Sequence, residues 1–415
     1  MPLRILHIST RLILGGSQEN TVLSCEGQAR LGHQLHLAFG PIFGPEGSLL
    51  DRVTSFRTAS GNAIAAHEIP DLVRELAPLR DRRALRQLIR LLHDIKPDVI
   101  HTHSSKAGIL GRLAGWRYNR ALGGDRAAHA AIVHTIHGPP FMPLDGPLIN
   151  RIRRRLTNAL YTLAERHAAR RCHLIVAVAD AMTREFLRRN IGSSTQYITV
   201  RSGMETDSFL HPQPGEDRAS IRRQLGLLDD DFVIGTVARL AEHKGHDDLL
   251  DALADDLRAN PAWKLLWVGD GWWKDRLLQR VRSLGLQNQV LTTGLVPPER
   301  VPGLMRAMDL LAHPSTREGL PRTLPQAFLC GVPAVAYDVD GTGEICIDGQ
   351  TGCLIRPGDI PSLRQAVRRL AADPELRNSM AARGKTIAER DFSTSGMVAQ
   401  LEQVYAQALA IARAT

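Results

Sequence analysis

Short apolar runs alternate with helical stretches along almost the whole chain, and the alternation breaks once. The first cycle is a strand from Arg4 to Ser9, a turn at Gly15-Gly16, a helical stretch from Gln18 to Leu31 and an apolar run from Gln34 to Phe39. Strand, glycine turn, helix and strand make a βαβ unit, which requires a parallel sheet covered by helices. The pattern recurs. A helix from Ala84 to Ile95 leads into the strand Asp98 to His103, and strands follow at Ile132 to Ile136, Leu174 to Val178 and Gln196 to Val200. Around Pro212-Gln213-Pro214-Gly215 the chain turns polar and loses periodicity, as a linker does. The alternation then restarts at Val233 to Val237, with further strands expected at 264–268, 290–292, 310–312, 334–336 and 352–355. The expected fold class is α/β, with two parallel-sheet domains at 1–210 and 211–395. A ligand is expected in the cleft between their sheets, near the C-terminal ends of the strands.

Length supports the division, because 415 residues exceed one ordinary domain. Hydrophobic residues at 43% and charged residues at 23% exclude a disordered or fibrous chain. No apolar run approaches the roughly 20 residues that span a bilayer. The start, Met1 to Ile8, lacks the apolar stretch of a secretory signal. Cys25, Cys172, Cys330, Cys346 and Cys353 form no CxxC pair, which argues for reduced cytosolic thiols over a disulfide frame or a zinc site.

The basic excess is confined to one half. Residues 1–210 hold 28 Lys and Arg against 17 Asp and Glu, whereas 211–415 hold 24 against 26. Such asymmetry points to a polyanion, an anionic membrane or a nucleic acid, with plain solubility as the alternative. The segment 148–171 is helical in composition. It sets Arg151, Arg153, Arg154, Arg155, Arg166, Arg170 and Arg171 beside a stripe of Ile149, Ile152, Leu156, Leu160 and Leu163 at helical spacing. The plain expectation is that this stripe packs on the first sheet while the arginines face water. The functional one turns the arginines to an anionic leaflet.

Several residues could carry chemistry. Arg239 and Lys244 follow the first strand of the second domain, where a planar fork and a point charge suit a diphosphate. Two solvated surface cations would look the same. Glu318 precedes Gly319-Leu320-Pro321, and an apolar helix is expected from there to Gly331, with the proline in its first turn. A carboxylate beside free amides can hold sugar hydroxyls. The plain alternative is an acid favouring a helix dipole. His101, His103, His134 and His137 lie at strand ends, where substrate contact and satisfied core histidines compete. No HExxH pattern completes a zinc site. Asp338-Val339-Asp340 has the form of a metal-binding DxD, but its loop setting argues against that role.

These pieces, in this order, resemble a retaining glycosyltransferase of family 4 with the GT-B fold, along nearly the full length. The resemblance rests on Gly15-Gly16, His101-Thr102-His103-Ser104-Ser105-Lys106-Ala107-Gly108, His137-Gly138 and Ser202-Gly203-Met204-Glu205-Thr206-Asp207. It continues through Gly235 to Gly245, Val268-Gly269-Asp270-Gly271, Glu318-Gly319-Leu320-Pro321 and Gly341 to Gly352. The segment from Ser104 to Arg112 and the turn from Ser202 to Asp207 look most like the bacterial branch that builds cell-surface polysaccharides.

The resemblance implies two Rossmann-like domains, with a last helix at about 396–415 packing back on the first. It implies that Arg239 and Lys244 neutralise the donor's diphosphate, while Glu318 and the amides of Gly319 and Leu320 hold the donor sugar. It further implies that His137 contacts the sugar and that Gly15 and Gly16 bring backbone to the phosphates. His103, Lys106, Arg153, Arg154 and Arg155 are assigned to the acceptor and membrane side. The implied donor is a nucleotide-sugar, UDP before GDP, used as a substrate with no cofactor and no metal. The implied acceptor is lipid-linked or a glycan, and the implied location is the cytoplasm, peripheral at the inner face of the plasma membrane. Gln326 departs from the pattern, since the family usually carries a second glutamate there. Glutamine still donates and accepts, so the change reads as a variant site, with an inactive copy as the alternative. Two other functions compete: a GT-B phosphorylase or epimerase, and a nucleic-acid-binding relative. Aromatic residues at 5% and the lack of basic stripes interleaved with aromatics weigh against the latter.

Overall fold

The computed structural model describes residues 2–42, 47–141 and 148–414. They divide into two compact units, 1–204 with 394–415, and 205–393. The division falls at Met204/Glu205, six residues before the boundary expected from composition. The polar stretch Pro212 to Gly215 therefore lies inside the second unit rather than between the two.

The first unit carries β1 (Arg4–Ser9), α1 (Gly16–Arg30), β2 (Gln34–Phe39), α2 (Leu50–Ser55), β3 (Ile64–Glu68), α3 (Pro78–Ile95) and β4 (Val99–His103). There follow α4 (Ser105–Ala121), β5 (Ala131–Ile136), α5 (Leu148–Ala169), β6 (Leu174–Ala177), α6 (Asp180–Arg188) and β7 (Tyr197–Thr199). Its parallel sheet has the order β3-β2-β1-β4-β5-β6-β7. Strand β3, Ile-Ala-Ala-His-Glu at the sheet edge, escapes sequence reading because it lacks the continuous apolar run of a doubly covered strand.

The second unit carries α7 (Asp207–Leu210), α8 (Arg218–Gln224), β8 (Phe232–Val237), α9 (His246–Ala259), β9 (Trp263–Val268), α10 (Lys274–Ser283), β10 (Val290–Gly294) and α11 (Val301–Arg306). It closes with β11 (Leu310–His313), α12 (Thr323–Leu329), β12 (Ala334–Tyr337), β13 (Gly352–Ile355), α13 (Ile360–Ala372) and α14 (Pro374–Asp391). Its sheet, β10-β9-β8-β11-β12-β13, repeats the order of the first. Both are doubly wound, with the strand order reversing between β1 and β4 and between β8 and β11. In such sheets ligands bind beyond the strand ends at that reversal.

The last helix, α15 (Thr394–Ala414), belongs to the first unit. Its Met397, Val398, Leu401, Val404 and Tyr405 join the core formed by β1, β2 and α1. The second core gathers around Trp267, Leu253, Leu310 and Tyr337. All five cysteines are free thiols, four of them buried.

Helix α5 overturns the plain expectation for its apolar stripe. Ile149, Ile152, Leu156, Leu160 and Leu163 are 46 to 72% exposed rather than packed on the sheet. The helix docks through other residues. Asn158, Glu165, Ala168 and Ala169 are buried, and the Glu165 carboxylate takes the guanidinium of Arg112 on α4 at 2.6 Å with both side chains out of water. A buried ion pair and small residues hold this helix, which leaves its large side chains outside.

Candidate active site

In the second unit, several candidate residues gather at the strand ends beside the β8/β11 reversal. The turn after β8 carries Arg239 and, within a single 3-10 turn (Glu242–Lys244), Lys244. The chain leaves that turn through Gly245 at φ 71°. A Cβ there would lie 2.0 Å from the Pro314 carbonyl oxygen, so glycine alone lets this turn press against the end of β11. The Thr316 N–H donates to the His243 carbonyl at 2.8 Å, and Ser315 Oγ donates to the same oxygen at 3.1 Å. Two segments 72 residues apart in sequence are thereby fixed side by side.

Their side chains meet at Glu318. Its Oε1 accepts from Lys244 Nζ at 2.5 Å and from His313 Nε2 at 3.1 Å. Thr323 Oγ1 lies 3.3 Å from His313 Nδ1, so a hydroxyl donated there leaves Nε2–H to face the carboxylate. Burial alone would raise the Glu318 pKa. The hydrogen bond and charge of His313, with the charge and hydrogen bond of Lys244, outweigh it and hold the carboxyl well below the usual range. Glu318 is thus an ionised acceptor and cannot serve as a proton donor. Its own N–H donates to Asp340 Oδ2 at 2.7 Å, and Asp340 sits in the left-handed region at φ 48°. The Gly341 N–H donates to the Gly319 carbonyl at 3.0 Å. Asp340 therefore braces the Glu318 loop. Among the described residues no metal-ligand group includes Asp338 or Asp340.

Arg239 is exposed and has no hydrogen bond or ion pair among the described residues; its guanidinium lies 5.6 Å from the ring centre of the exposed Trp272. Leu320 is buried and Gly319 half-buried. Pro321 lies ahead of α12 rather than in its first turn, because the helix begins only at Thr323. Gln326 is half-buried on α12. Sequence reading missed His313 and Trp272, and it saw Asp340 only as part of a DxD, not as the brace of the Glu318 loop. A histidine closing a strand at the sheet reversal was the available signal for the first.

In the first unit, Gly15 and Gly16 open α1 and are exposed. Gly15 is extended at φ 179°, a conformation any residue adopts, and a Cβ there would meet only the movable end of the Gln18 side chain, at 2.8 Å from Oε1. Lys106 is tied down, with Nζ 2.6 Å from Asp81 Oδ1 and donating to the Glu75 carbonyl. His103 is 1% exposed and reaches His137, which is half-buried, through a 3.1 Å hydrogen bond. His7, His101 and His134 are likewise buried. Burial, opposed by the Gln28 hydrogen bond, lowers His7 to about 4; burial with neighbouring imidazoles lowers His101 and His103 well below the ordinary value, and burial with the Arg112 charge does so for His134. On α5, Arg153 and Arg155 are exposed and Arg154 is half-buried.

Residues 14–207 match the Glycosyltransferase Family 4 family, and residues 217–387 match Glycosyl transferases group 1. The chain is 29% identical to the alpha-D-kanosaminyltransferase of Streptomyces kanamyceticus over 60% of its own length; the match spans 64% of that enzyme, just under two thirds. It is 25% identical to the Escherichia coli UDP-Gal:alpha-D-GlcNAc-diphosphoundecaprenol alpha-1,3-galactosyltransferase over 76% of this chain and 77% of that one. The structure of Anabaena HepE in complex with UDP-glucose superposes with a TM-score of 0.76 at 22% identity, covering 97% of this chain and 99% of the other. The two doubly wound sheets are thus those of the GT-B fold. The chain belongs to the GT-B glycosyltransferases, joining a Glycosyltransferase Family 4 domain to a Glycosyl transferases group 1 domain.

Proposed function

We propose that this protein moves a sugar from a UDP-sugar to a lipid-linked acceptor, with retention at the anomeric carbon and without a metal. The observation that carries the donor part is Glu318, kept ionised by Lys244 and His313, in the same unit as the exposed Arg239, which has no ion pair among the described residues. An ionised carboxylate accepts from sugar hydroxyls, and the two cations meet the charge that develops on the leaving diphosphate. Since Glu318 cannot give up a proton, none reaches the leaving group from it. The acceptor hydroxyl's proton passes to a phosphate oxygen as the C1–O bond to the diphosphate breaks and the new glycosidic bond forms on the same face. UDP as the nucleotide is favoured by the UDP-Gal donor of the Escherichia coli relative and by the UDP-glucose held by HepE. A panel of UDP- and GDP-sugars in thermal-shift measurements tests this. A ligand at 100 times its dissociation constant adds about 2.7 kcal/mol of stability, so a UDP-sugar should raise Tm and a GDP-sugar should not. Failure of every nucleotide-sugar to do so would remove the reading.

The acceptor part rests on α5. Its exposed apolar stripe shares the helix with the exposed Arg151, Arg153 and Arg155, and its single acid, Glu165, is buried against Arg112. A second copy of this helix would bring arginine against arginine, with no carboxylate to answer them. An anionic bilayer answers both faces, apolar side chains entering the headgroup boundary and arginines meeting phosphates. Each basic residue close to such a surface contributes about 1 kcal/mol. The lipid-diphosphate acceptor named for the Escherichia coli relative fits such a location. Cosedimentation with anionic vesicles should be lost in the variant with Arg151, Arg153 and Arg155 all changed to Glu, and weakened by Leu156→Ser with Leu160→Ser. Equal binding to neutral vesicles would refute the electrostatic part.

A further inference from the structure

Between α3 and α4 of the first unit lies a cavity of about 460 Å³. Asp81, Arg82, Leu85 and Arg86 line it from α3, and Leu110 and Arg117 line it from α4. Helix α4 is seated close against the sheet. A Cβ on Gly108 would lie 2.4 Å from His134 Cε1, one on Gly111 2.6 Å from Thr102 Cγ2, and one on Gly115 2.9 Å from Ile100 Cδ1. Three glycines at helical spacing therefore set the height of α4, and with it the positions of Leu110 and Arg117. Leu85 and Leu110 are each 9% exposed and give the cavity an apolar floor.

The charges on its walls are unbalanced. Arg82, Arg86 and Arg117 are exposed, and none has a hydrogen bond or ion pair among the described residues. The single acid of the lining is already engaged: Asp81 Oδ1 lies 2.6 Å from Lys106 Nζ, and Oδ2 accepts from the Ala77 N–H at 3.3 Å. On the same helix Arg80 and Arg83 do find a carboxylate, lying 3.5 and 2.9 Å from Asp71 Oδ1. Arg82 and Arg86 stand four residues apart, a spacing at which like charges destabilise a helix. Solvated surface cations are the plain alternative, but these three share one cavity with a buried apolar floor.

Guanidinium forks match phosphate oxygens two at a time. A phosphodiester carries one negative charge, whereas a phosphomonoester carries about 1.5 to 2 at pH 7 and offers three acceptor oxygens. The monoester is the closer match to three unanswered arginines. A bare phosphate is only a few times the roughly 30 Å³ of a water molecule, so most of the cavity is left for the organic group that the phosphate esterifies.

We propose that the α3/α4 cavity binds an organic phosphomonoester, with its phosphate on Arg82, Arg86 and Arg117 and its carbon chain over Leu85 and Leu110. A lipid headgroup and a soluble phosphate ester present the same chemistry to these arginines. The site lies wholly in the first unit and depends neither on the donor reading nor on α5.

Calorimetric titration with three probes tests it: dihexanoyl phosphatidate below its micellar concentration, dihexanoyl phosphatidylglycerol with the same chains on a diester, and glycerol 3-phosphate with no chains. Phosphatidate should bind at least tenfold more tightly than phosphatidylglycerol. Arg86→Gln with Arg117→Gln should weaken the monoester at least tenfold, the scale of a lost charge-assisted hydrogen bond. Arg82→Gln should act in the same direction, which keeps the test decisive if the double variant does not fold. UDP affinity, a property of the second unit, should be unchanged in these variants. Phosphatidate should still bind when Arg151, Arg153 and Arg155 are changed to Glu, so a failure here is separable from a failure of the α5 reading. Glycerol 3-phosphate binding as tightly as phosphatidate would uphold the site for a soluble ester, and tighter phosphatidate would uphold it for a lipid. The proposal is overturned if no monoester binds, if phosphatidylglycerol equals phosphatidate, if the folded arginine variants bind as wild type does, or if monoester binding is lost in Arg239→Ala instead.

Discussion

Acid should loosen the first unit through its buried histidines, and the share of one ring, His7, can be worked out. His7 is buried against Gln28, His101 and His103, and its pKa in the folded protein is lowered from 6.5 to about 4. The folded state therefore binds the proton less readily than the unfolded chain. Stability from this group is complete above pH 6.5 and is lost as pH falls from 6.5 towards 4. Between pH 7.5 and 5.0, these two pKa values give a loss of about 2 kcal/mol from His7. His101, His103 and His134 are shifted the same way and add to it. Four of the five tryptophans lie in the second unit, so fluorescence would report the wrong half. Hydrogen exchange of β1 and β4 amides reads the right one. Protection of Ile5 to Ile8 and Val99 to His103 should fall between pH 7.5 and 5.0, after correction for intrinsic exchange. In His7→Asn the fall should be smaller by about 2 kcal/mol. Protection that does not change with pH, or falls equally in both proteins, would refute the reasoning.

Three further outcomes follow from the second unit. Gln326→Glu should retain transfer, because glutamine and glutamate both accept from a hydroxyl; a dead Gln326→Glu together with a dead Gln326→Ala would assign the amide a role of its own. Transfer should survive a chelator, since Arg239 and Lys244 supply the positive charge; activity restored only by manganese or magnesium would recast Asp338 and Asp340 as ligands. Gly245→Ala should cost about 1–3 kcal/mol, read as a Tm lower by several degrees, because it combines φ 71° with a Cβ 2.0 Å from the Pro314 oxygen. An unchanged Tm would show that the turn gives way.

The alternation of buried strands and helices was legible because a parallel strand covered on both faces is largely apolar, as Leu174 to Ala177 is. The edge strand β3 is under no such demand and stayed hidden. The stripe on α5 misled for the opposite reason. Its spacing is that of a packed helix face, but a buried Glu165–Arg112 pair decides which side faces inward, and that pair joins residues 53 apart. Glu318, Arg239 and Lys244 could be read as chemistry from residue type and position. Their arrangement could not, because the Lys244–Glu318 contact depends on Gly245 packing against Pro314. The histidine cluster was equally opaque: His101, His103 and His137 were visible, but His7 and Gln28 join them only through sheet register and helix docking.

The central claim is that Arg239 and Lys244 bind the donor's diphosphate while Glu318 binds its sugar. Calorimetric titration of UDP and of a UDP-sugar into wild type, Arg239→Ala and Glu318→Ala separates these roles most directly. Arg239→Ala should weaken both ligands by roughly ten- to a hundredfold, the scale of a lost charge-assisted hydrogen bond. Glu318→Ala should bind UDP at least as well as wild type, since Lys244 is released to the phosphates, and should lose any added affinity for the sugar. UDP binding indifferent to Arg239→Ala, or abolished by Glu318→Ala in a folded protein, would contradict the account.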